Sequence, residues 1–299
     1  MSFQITQLQT VRGAIPLASP DGIDVPNPFA PIEIQPLTSA GSEVPGKAIH
    51  LRVDTEKGPK LVFVASHSPR YKPISNRAAV NIAEEVMIKS GHSFTPFNSV
   101  WDGKKFAILY KSDDHTISLP GNDQVTLGLY VQNSYDASLL FGVRLMVIRY
   151  ACMNGLFFGN ELAGFAFKHV NGSSDEAIED AIAQLNGSAS AYQGVVSRFP
   201  EMMNAPTNLE TFTKWARELS EGGAPKWPKG KLLDVIQQID THGGANTVWT
   251  MLNDFTYVAT HDLHPFAATD LSARVGALAM NEIDVDYTVQ EAPDAPIDE

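Results

Sequence analysis

The chain has 299 residues, of which 43% are hydrophobic and 19% charged, and its formal net charge is −12. This composition suits one or two folded domains and excludes a collagen-like, wholly disordered or disulfide-stapled protein. The first residues lack the basic and apolar regions of a secretory signal, and no run approaches the roughly 18 apolar residues of a membrane helix. Together with a single cysteine, Cys152, these features predict a cytoplasmic protein without a membrane partner.

The charge is unevenly distributed along the chain. Residues 50–170 hold 13 Lys and Arg against 10 Asp and Glu, whereas residues 171–299 hold 7 against 20. A negative total argues against nucleic-acid binding, because phosphate contacts usually come from a basic surface. The mildly basic middle of the chain weakens that objection.

Residues 1–45 contain seven prolines and show no sustained hydrophobic periodicity. Proline fixes φ and removes a backbone donor, so this segment is predicted to be an extended arm. Two interpretations stay open: a loop that lies over its own domain, or an arm that reaches a neighbouring subunit.

Residues 46–170 are predicted to form an α+β core, an antiparallel sheet with a packed helix. Helical spacing of apolar residues predicts the helix over 76–90, with Ser75 or Asn76 as its cap and Gly91 as its stop. Alternating or short apolar runs predict strands at 49–53, 61–65, 105–111, 125–132 and 141–149.

Residues 171–280 are predicted to be a helical region. Ser173 and Glu176, and then Thr207 and Glu210, have the spacing of a capping box at the start of a helix. Three further helices are predicted at 231–239, 247–260 and 271–280.

The tail, residues 281–299, has seven acidic residues and no basic one, which predicts a disordered acidic segment. It resembles the partner-recruiting tails of some single-stranded DNA binding proteins, which implies a protein partner. A merely solvated terminus is the alternative.

The sequence lacks the strong catalytic motifs, such as the P-loop, the dinucleotide-binding fingerprint, the zinc-protease helix and the nucleophile elbow. We therefore predict no catalytic residue, no cofactor and no metal. His261, Asp262 and His264 form the densest histidine cluster, but histidines near a helix C-terminus also favour the helix dipole. The Asp-Asp-His segment at 113–115 suits a polar turn between strands at least as well as a metal site.

Two polar features interrupt the apolar strands. Residues 133–138 favour a structured turn, because Asn, Ser and Asp side chains bond to nearby backbone. Arg144 and Arg149 lie on opposite faces of the following strand. Each needs an acceptor, either a carboxylate such as Asp136 or a phosphate of a ligand.

Three motifs carry a resemblance to a known family: N-S-Y-D-x-S at 133–138, R-x-x-C-x-N-G at 149–155, and W-x-x-x-N-x-x-T at 249–256 with His261 downstream. In this order they resemble the phage/plasmid-like protein family, a domain of unknown function common on mobile elements. The likeness covers roughly 45–280 and implies a phage or plasmid origin without catalytic residues to transfer. The family usually has Gly where Ala137 stands.

The order of elements also resembles the core of phage single-strand annealing recombinases. That likeness implies single-stranded DNA as a partner, a homo-oligomeric ring or filament, and a basic groove with stacking aromatic rings. The candidate phosphate contacts are Arg70, Lys72, Arg77, Lys104, Lys105, Lys111, Arg144 and Arg149. The candidate stacking residues are Tyr71, Trp101 and Tyr130.

The leading hypothesis is thus a non-enzymatic, oligomeric protein of a phage or plasmid that binds and anneals single-stranded DNA in recombination or replication. One alternative is a protein-binding factor of a mobile element, such as a host-defence antagonist, since an acidic surface imitates nucleic acid. Another is an uncharacterised metal-dependent enzyme that uses the cluster at 261–264.

Overall fold

The computed structural model of the chain has the expected α+β fold, with antiparallel sheets in the N-terminal half and a helical C-terminal region. It divides into two units, the first formed by residues 1–153 and 161–194 and the second by residues 154–160 and 195–299. The structure describes residues 27–55, 58–120, 123–149, 155–156, 164–167, 175–241, 243–244 and 246–284.

A three-stranded antiparallel sheet opens the first unit. Its strands are β1 (Ile32–Ser39), β2 (Ser42–Thr55) and β3 (Gly58–His67), with β2 in the middle. Ile49 and Leu51 of β2 are buried, because alternate residues of a strand share one face. The strand predicted there is confirmed as part of a longer one.

β1 lies inside the segment 1–45 that was expected to form an arm. It pairs with β2 along its length, and the register shifts between Pro36 and Leu37. A proline is tolerated there because β1 is an edge strand. The extended backbone that the prolines favour is therefore used in a sheet from Ile32 onward, and residues 1–26 lie outside the described part of the chain.

The larger sheet of the first unit is also antiparallel. Its strands are β4 (Phe94–Trp101), β5 (Lys105–Leu119), β6 (Asp123–Ser134), β7 (Phe141–Arg149) and β9 (Gly164–Phe167), while β8 (Gly155–Leu156) belongs to the second unit. The order is β4-β5-β6-β7, and β9 pairs with β7. Nearly every residue of β6 and β7 is buried, so both faces of the sheet are covered at its centre.

The helix α1 (Asn76–Ser90) contacts β6. Ser75 is its N-cap, with its Oγ accepting a hydrogen bond from the Ala78 amide at 3.1 Å. Gly91 ends the helix in the left-handed conformation, at φ 75°. The predicted helix is confirmed together with its stop, and of the two candidate caps it is Ser75 that caps the helix.

The strand β5 continues through Asp113 and Asp114, so the turn predicted at these residues is wrong. Its register against β6 shifts between Lys111 and Thr116, which marks a bulge within one long strand. Polar residues suit a bulge and a turn equally well, since both leave backbone groups outside the ladder.

The helices that follow α1 are α2 (Asp175–Ser197), α3 (Phe199–Asn204), α4 (Leu209–Glu221), α5 (Lys231–Thr241), α6 (Val248–Asp262) and α7 (Pro265–Asp284). Residues 175–194 of α2 belong to the first unit, and α3 to α7 make up most of the second unit. Trp215 and Trp227 both pack against Phe255 in the core, with ring centroids 5.8 and 5.3 Å away. No helix in the described part is long and apolar enough to cross a membrane.

The start of α4 differs from the predicted capping box at Thr207. The cap is Asn208, whose Oδ1 accepts hydrogen bonds from the amides of Glu210 and Thr211 at 2.9 and 3.0 Å. Both Thr and Asn are good caps, so the pattern alone was ambiguous by one residue. The expected cap at Ser173 lies outside the described residues, as do residues 285–299 of the expected acidic tail.

Arg274 of α7 holds the end of α4 in place. Its guanidinium donates to the carbonyl oxygens of Gly223 and Pro225 at 2.9 and 2.8 Å, and also to that of Glu218. The last carbonyl groups of a helix have no partner within the helix, and a cation there also favours the helix dipole. This arginine therefore caps α4 from a neighbouring helix.

We expect Arg274→Ala to lower the free energy of unfolding by about 2 kcal/mol, because hydrogen bonds to a charged group contribute in that range. Arg217→Ala on the exposed side of α4 is the control, with an expected change below about 0.5 kcal/mol. Urea unfolding followed by circular dichroism measures both changes. Equal values for the two variants would contradict the role of Arg274.

Candidate nucleic-acid interface

Asn133 and Tyr135, at the end of β6, are fully buried and bond to the start of α1. The Asn133 amide nitrogen donates to the Ile74 carbonyl oxygen at 2.9 Å and to the Asn76 side-chain oxygen at 2.8 Å. The Tyr135 hydroxyl accepts a hydrogen bond from the Asn76 backbone amide at 3.0 Å. We call Asn76, Asn133 and Tyr135 the latch, because they join the end of β6 to α1.

Burial raises the pKa of Tyr135 to about 12, against a small opposing effect of its hydrogen bond with Asn76. The hydroxyl therefore stays neutral over the physiological range. A neutral phenol that accepts a hydrogen bond from a buried amide supports the fold and is not placed to exchange protons with a substrate.

The rest of the motif forms the turn between β6 and β7, as the polar composition predicted. The Ser134 hydroxyl donates to the Leu139 carbonyl and accepts from the Leu139 amide, both at 3.0 Å. The Asp136 carboxylate accepts from the Ser138 amide at 3.0 Å. Burial opposes ionisation of Asp136, but its bonds with Ser138 and the charge of Lys105 hold its pKa below the usual range.

Ala137, in this turn, has a φ of 59°, in the left-handed region that glycine adopts without strain. A glycine at this position would adopt the same backbone conformation without strain. The alanine is tolerated because the surrounding bonds of Ser134 and Asp136 hold the turn.

We expect Ala137→Gly to raise the free energy of unfolding by about 1 kcal/mol, because it removes the strain of a left-handed alanine. The same substitution in a helix, Ala259→Gly, is the control and is expected to lower stability by about 1 kcal/mol or more. Thermal or urea unfolding measures both. A loss of stability in the Ala137 variant would contradict the account of this turn.

We expect Tyr135→Phe to cost about 2 kcal/mol of stability, because the buried Asn76 amide loses its acceptor while the ring still packs. Tyr257→Phe, at a half-buried position of α6, serves as the matched control and is expected to change stability by less than about 0.5 kcal/mol. If the Tyr135 variant unfolded at the same urea concentration as the control, the latch would not hold α1.

Hydrogen bonds also join the connection between β3 and α1 to the end of β6 and to Tyr135. The Tyr71 ring stacks on His67, with centroids 3.9 Å apart, and its hydroxyl donates to the Ser134 carbonyl at 3.3 Å. A ring nitrogen of His67 bonds to the Tyr135 carbonyl at 2.7 Å. Lys47 of β2 donates to the Tyr71 carbonyl at 3.4 Å.

The connection between β4 and β5 contacts the latch through Tyr135. The Tyr135 amide donates to the Lys104 carbonyl at 2.8 Å, and Lys105 pairs with Ser134 in the sheet. Asp102 accepts from the amides of Lys104 and Lys105 at 2.9 and 2.7 Å, which shapes this connection.

The latch thus brings together cations that are distant in sequence, which we call the basic corner. Its members are Lys47, Arg70, Lys72, Arg77, Lys104 and Lys105. Residues 67–77, 102–106 and 133–139 contain five of these cations and two carboxylates, Asp102 and Asp136. The sixth cation, Lys47, lies on β2, where Arg52 balances Glu43 and Asp54 balances Lys47 itself. The corner therefore has a local excess of three positive charges.

Four side chains of the basic corner are exposed: Arg70, Lys72, Arg77 and Lys104. Lys47 and Lys105 are half-buried. The Arg77 guanidinium carbon lies 5.8 Å from the ring centre of Phe29, which lends the arginine a cation–π contact. Lys47 was missed by sequence reasoning, since nothing near it in β2 marks it out and only the fold brings it to Tyr71.

Three of the cations predicted to bind phosphate lie elsewhere. Lys111 pairs with Gly128, six residues along β6 from Ser134 and so about 20 Å from the basic corner. Arg149 is half-buried and forms an ion pair with Asp123. The ion pair expected for a strand arginine is therefore present, but its partner is Asp123 rather than Asp136.

Arg144 lies in β7 opposite Tyr130, away from the basic corner. The three aromatic rings expected to stack on bases are buried: Tyr71, Trp101 and Tyr130 are 8%, 6% and 8% exposed. A ring needs an open face to stack on a base, so these rings do not form a stacking platform. Trp101 instead packs edge-to-face against Tyr135, with centroids 6.0 Å apart.

The C-terminal motif also serves the fold. On α6, the Asn253 amide nitrogen donates to the Trp249 carbonyl at 2.7 Å, and the Thr256 hydroxyl donates to the Leu252 carbonyl at 2.8 Å. His261 stacks on Tyr257 with centroids 4.1 Å apart. In the middle motif, residues 150–154, which include Cys152, lie outside the described part.

The histidine cluster at the end of α6 does not converge on one point. Asp262 faces Lys231 at 3.6 Å, while His264 packs against Phe266. Among the residues that the structure describes, no group of three or more His, Cys, Asp or Glu side chains is placed to hold a metal ion. Residues 261–264 therefore supply no ligand set for the metal-enzyme alternative.

Fold and site together define an antiparallel α+β protein whose most distinctive polar residues organise a turn, a helix start and an adjoining basic surface. Residues 64–277 match the family described as Domain of unknown function (DUF932), and the chain belongs to that family. No curated protein and no solved structure matches the chain. The expected membership in a domain family of unknown function is confirmed, while the phage or plasmid origin and the likeness to annealing recombinases stay predictions.

Proposed function

We propose that the protein binds single-stranded DNA through the basic corner and promotes its annealing as a non-enzymatic homo-oligomer. The observation that supports this proposal is that hydrogen bonds around Tyr71 and Tyr135 join the segments that carry these six cations, which come from β2, α1 and two separate connections. Five of these cations, all except Lys47, were expected from the sequence to contact phosphate.

Phosphate binding at the basic corner is governed by local charge. At physiological salt, charges separated by more than about 8–10 Å are largely screened. The acidic residues that give the chain its total of −12 therefore weaken the corner only where they lie close to it. Two acidic residues in the segments that build the corner, Asp102 and Asp136, accept hydrogen bonds from backbone amides.

The ligand is held by its sugar-phosphate backbone, because the Tyr71, Trp101 and Tyr135 rings near the corner are buried. Bases that do not stack on the protein keep their pairing edges available to a second strand. Contact through the backbone thus suits annealing, and it implies binding without sequence preference.

A single basic corner can contact only a short piece of a DNA strand. A ring or filament of subunits would repeat the corner along the DNA and extend the strand for pairing. Such a protein would act in recombination or replication of a phage or plasmid, in the cytoplasm of the host cell.

The test is binding of the full-length chain to a fluorescent oligothymidylate over a range of salt concentrations. The triple variant Arg70→Ala, Lys72→Ala and Lys104→Ala is expected to bind more weakly, because it loses exposed cations of the corner. Its plot of log affinity against log salt should flatten by about 2, since each lost phosphate contact removes roughly 0.7 on single strands.

The matched control removes three exposed cations of the second unit, Arg217→Ala, Lys226→Ala and Lys229→Ala. It changes the net charge by the same amount and is expected to keep the salt slope of the unchanged protein. Absence of binding at low salt, or equal losses in both triple variants, would contradict the proposal.

A further inference from the structure

Within β5, residues 112–115 form a bulge. Lys111 pairs with Gly128 and Thr116 pairs with Thr126, so four residues of β5 lie opposite a single residue of β6. The Thr126 side chain closes the bulge, because its hydroxyl bonds to the carbonyl oxygens of Ser112 and His115 at 2.9 and 3.0 Å. A bulge of this kind redirects side chains and often lies beside a functional site.

The bulge faces the connection between α1 and β4, and the two are tied together. The Asp113 amide donates to the Ser93 carbonyl at 3.0 Å, and the Ser93 amide donates to the Asp114 carboxylate at 2.7 Å. Gly91, left-handed at the end of α1, turns the chain into this connection. His92 and His115 are thereby held on two elements that cannot move independently.

The two imidazoles approach each other at the distance of metal ligands. Nδ1 of His92 lies 3.2 Å from Nε2 of His115, and the ring centroids are 5.0 Å apart at an interplanar angle of 61°. Two nitrogens bound to one tetrahedral ion, each about 2.0–2.1 Å from it, are about 3.3 Å apart. The observed separation therefore matches a shared ion as well as it matches an N–H···N hydrogen bond.

We propose that His92 and His115 form a binding site for a divalent transition-metal ion such as Zn²⁺. Imidazole ligands select ions of the zinc, copper and nickel type over Mg²⁺ and Ca²⁺. The site has two protein ligands, and solvent would complete the coordination. No group of three or more His, Cys, Asp or Glu side chains is placed to hold a metal ion in the part of the chain that the structure describes. It is separate from the basic corner and does not depend on the proposed DNA binding.

Neighbouring groups favour a cation between the two rings. The Asp114 carboxylate is held beside the pair through Ser93, and it acts on His115 as a nearby negative charge. The Tyr192 ring lies 6.5 Å from His115 and shields one side.

Calorimetric titration of the untagged full-length protein with zinc chloride at pH 7.5 tests the site. We expect one equivalent to bind, and His92→Ala and His115→Ala each to weaken binding by at least about tenfold. Asp114→Asn should weaken it by about tenfold, as loss of a supporting carboxylate does. His261→Ala, which removes the histidine stacked on Tyr257, is the control and should bind like the unchanged protein.

Removal of a packed imidazole can also perturb folding, so His92→Gln and His115→Gln provide a second pair of variants of similar polarity. Circular dichroism without metal checks that each is folded. Loss of zinc binding in folded glutamine variants supports the site. Absence of zinc binding in the unchanged protein, or unchanged affinity in these variants, overturns it and leaves an ordinary hydrogen bond between the rings. Binding of Mg²⁺ with equal affinity would also overturn it.

Discussion

The first unit depends on the buried hydrogen bonds among Asn76, Asn133 and Tyr135. A buried polar group without a partner costs about 1–3 kcal/mol, so the hydrogen bonds among these three residues favour the arrangement in which they are buried together. That arrangement sets where α1 begins relative to β6 and where the turn after β6 lies. Through Tyr71 and Lys104 it also sets the two connections that carry the basic corner.

These buried hydrogen bonds show that the first motif of the family resemblance, at 133–138, stabilises the fold. Asn133, Ser134 and Tyr135 are types that often bind substrates, yet all three are fully buried and bond within the protein. Their contribution to function is indirect: they position exposed cations that have no distinctive sequence of their own. Charge at the corner is therefore a property of the fold, and the net charge of the chain says little about it.

The bounds of α1 were predictable, because a helical apolar face and a glycine stop are local signals, and only the choice between Ser75 and Asn76 as its cap was left open. Five strands were predictable in position, whereas strands such as β1 and β4 were not. Burial was not predictable: β6 and β7 are covered on both faces and give no polar face to recognise, and the burial of Tyr71, Trp101 and Tyr130 had no local signal. Asp113 and Asp114 looked like a turn because a bulge uses the same residues, and the partner of Arg149, 26 residues away at Asp123, had no local signal.

The central claim is that DNA contacts the corner organised by Asn76, Asn133 and Tyr135. Hydrogen–deuterium exchange of the full-length protein, with and without saturating oligothymidylate, tests it most directly. The account predicts added protection concentrated in residues 67–77 and 102–106, with none around Lys111 and Arg149. Protection confined to other segments, under conditions where the oligonucleotide is bound, would contradict it.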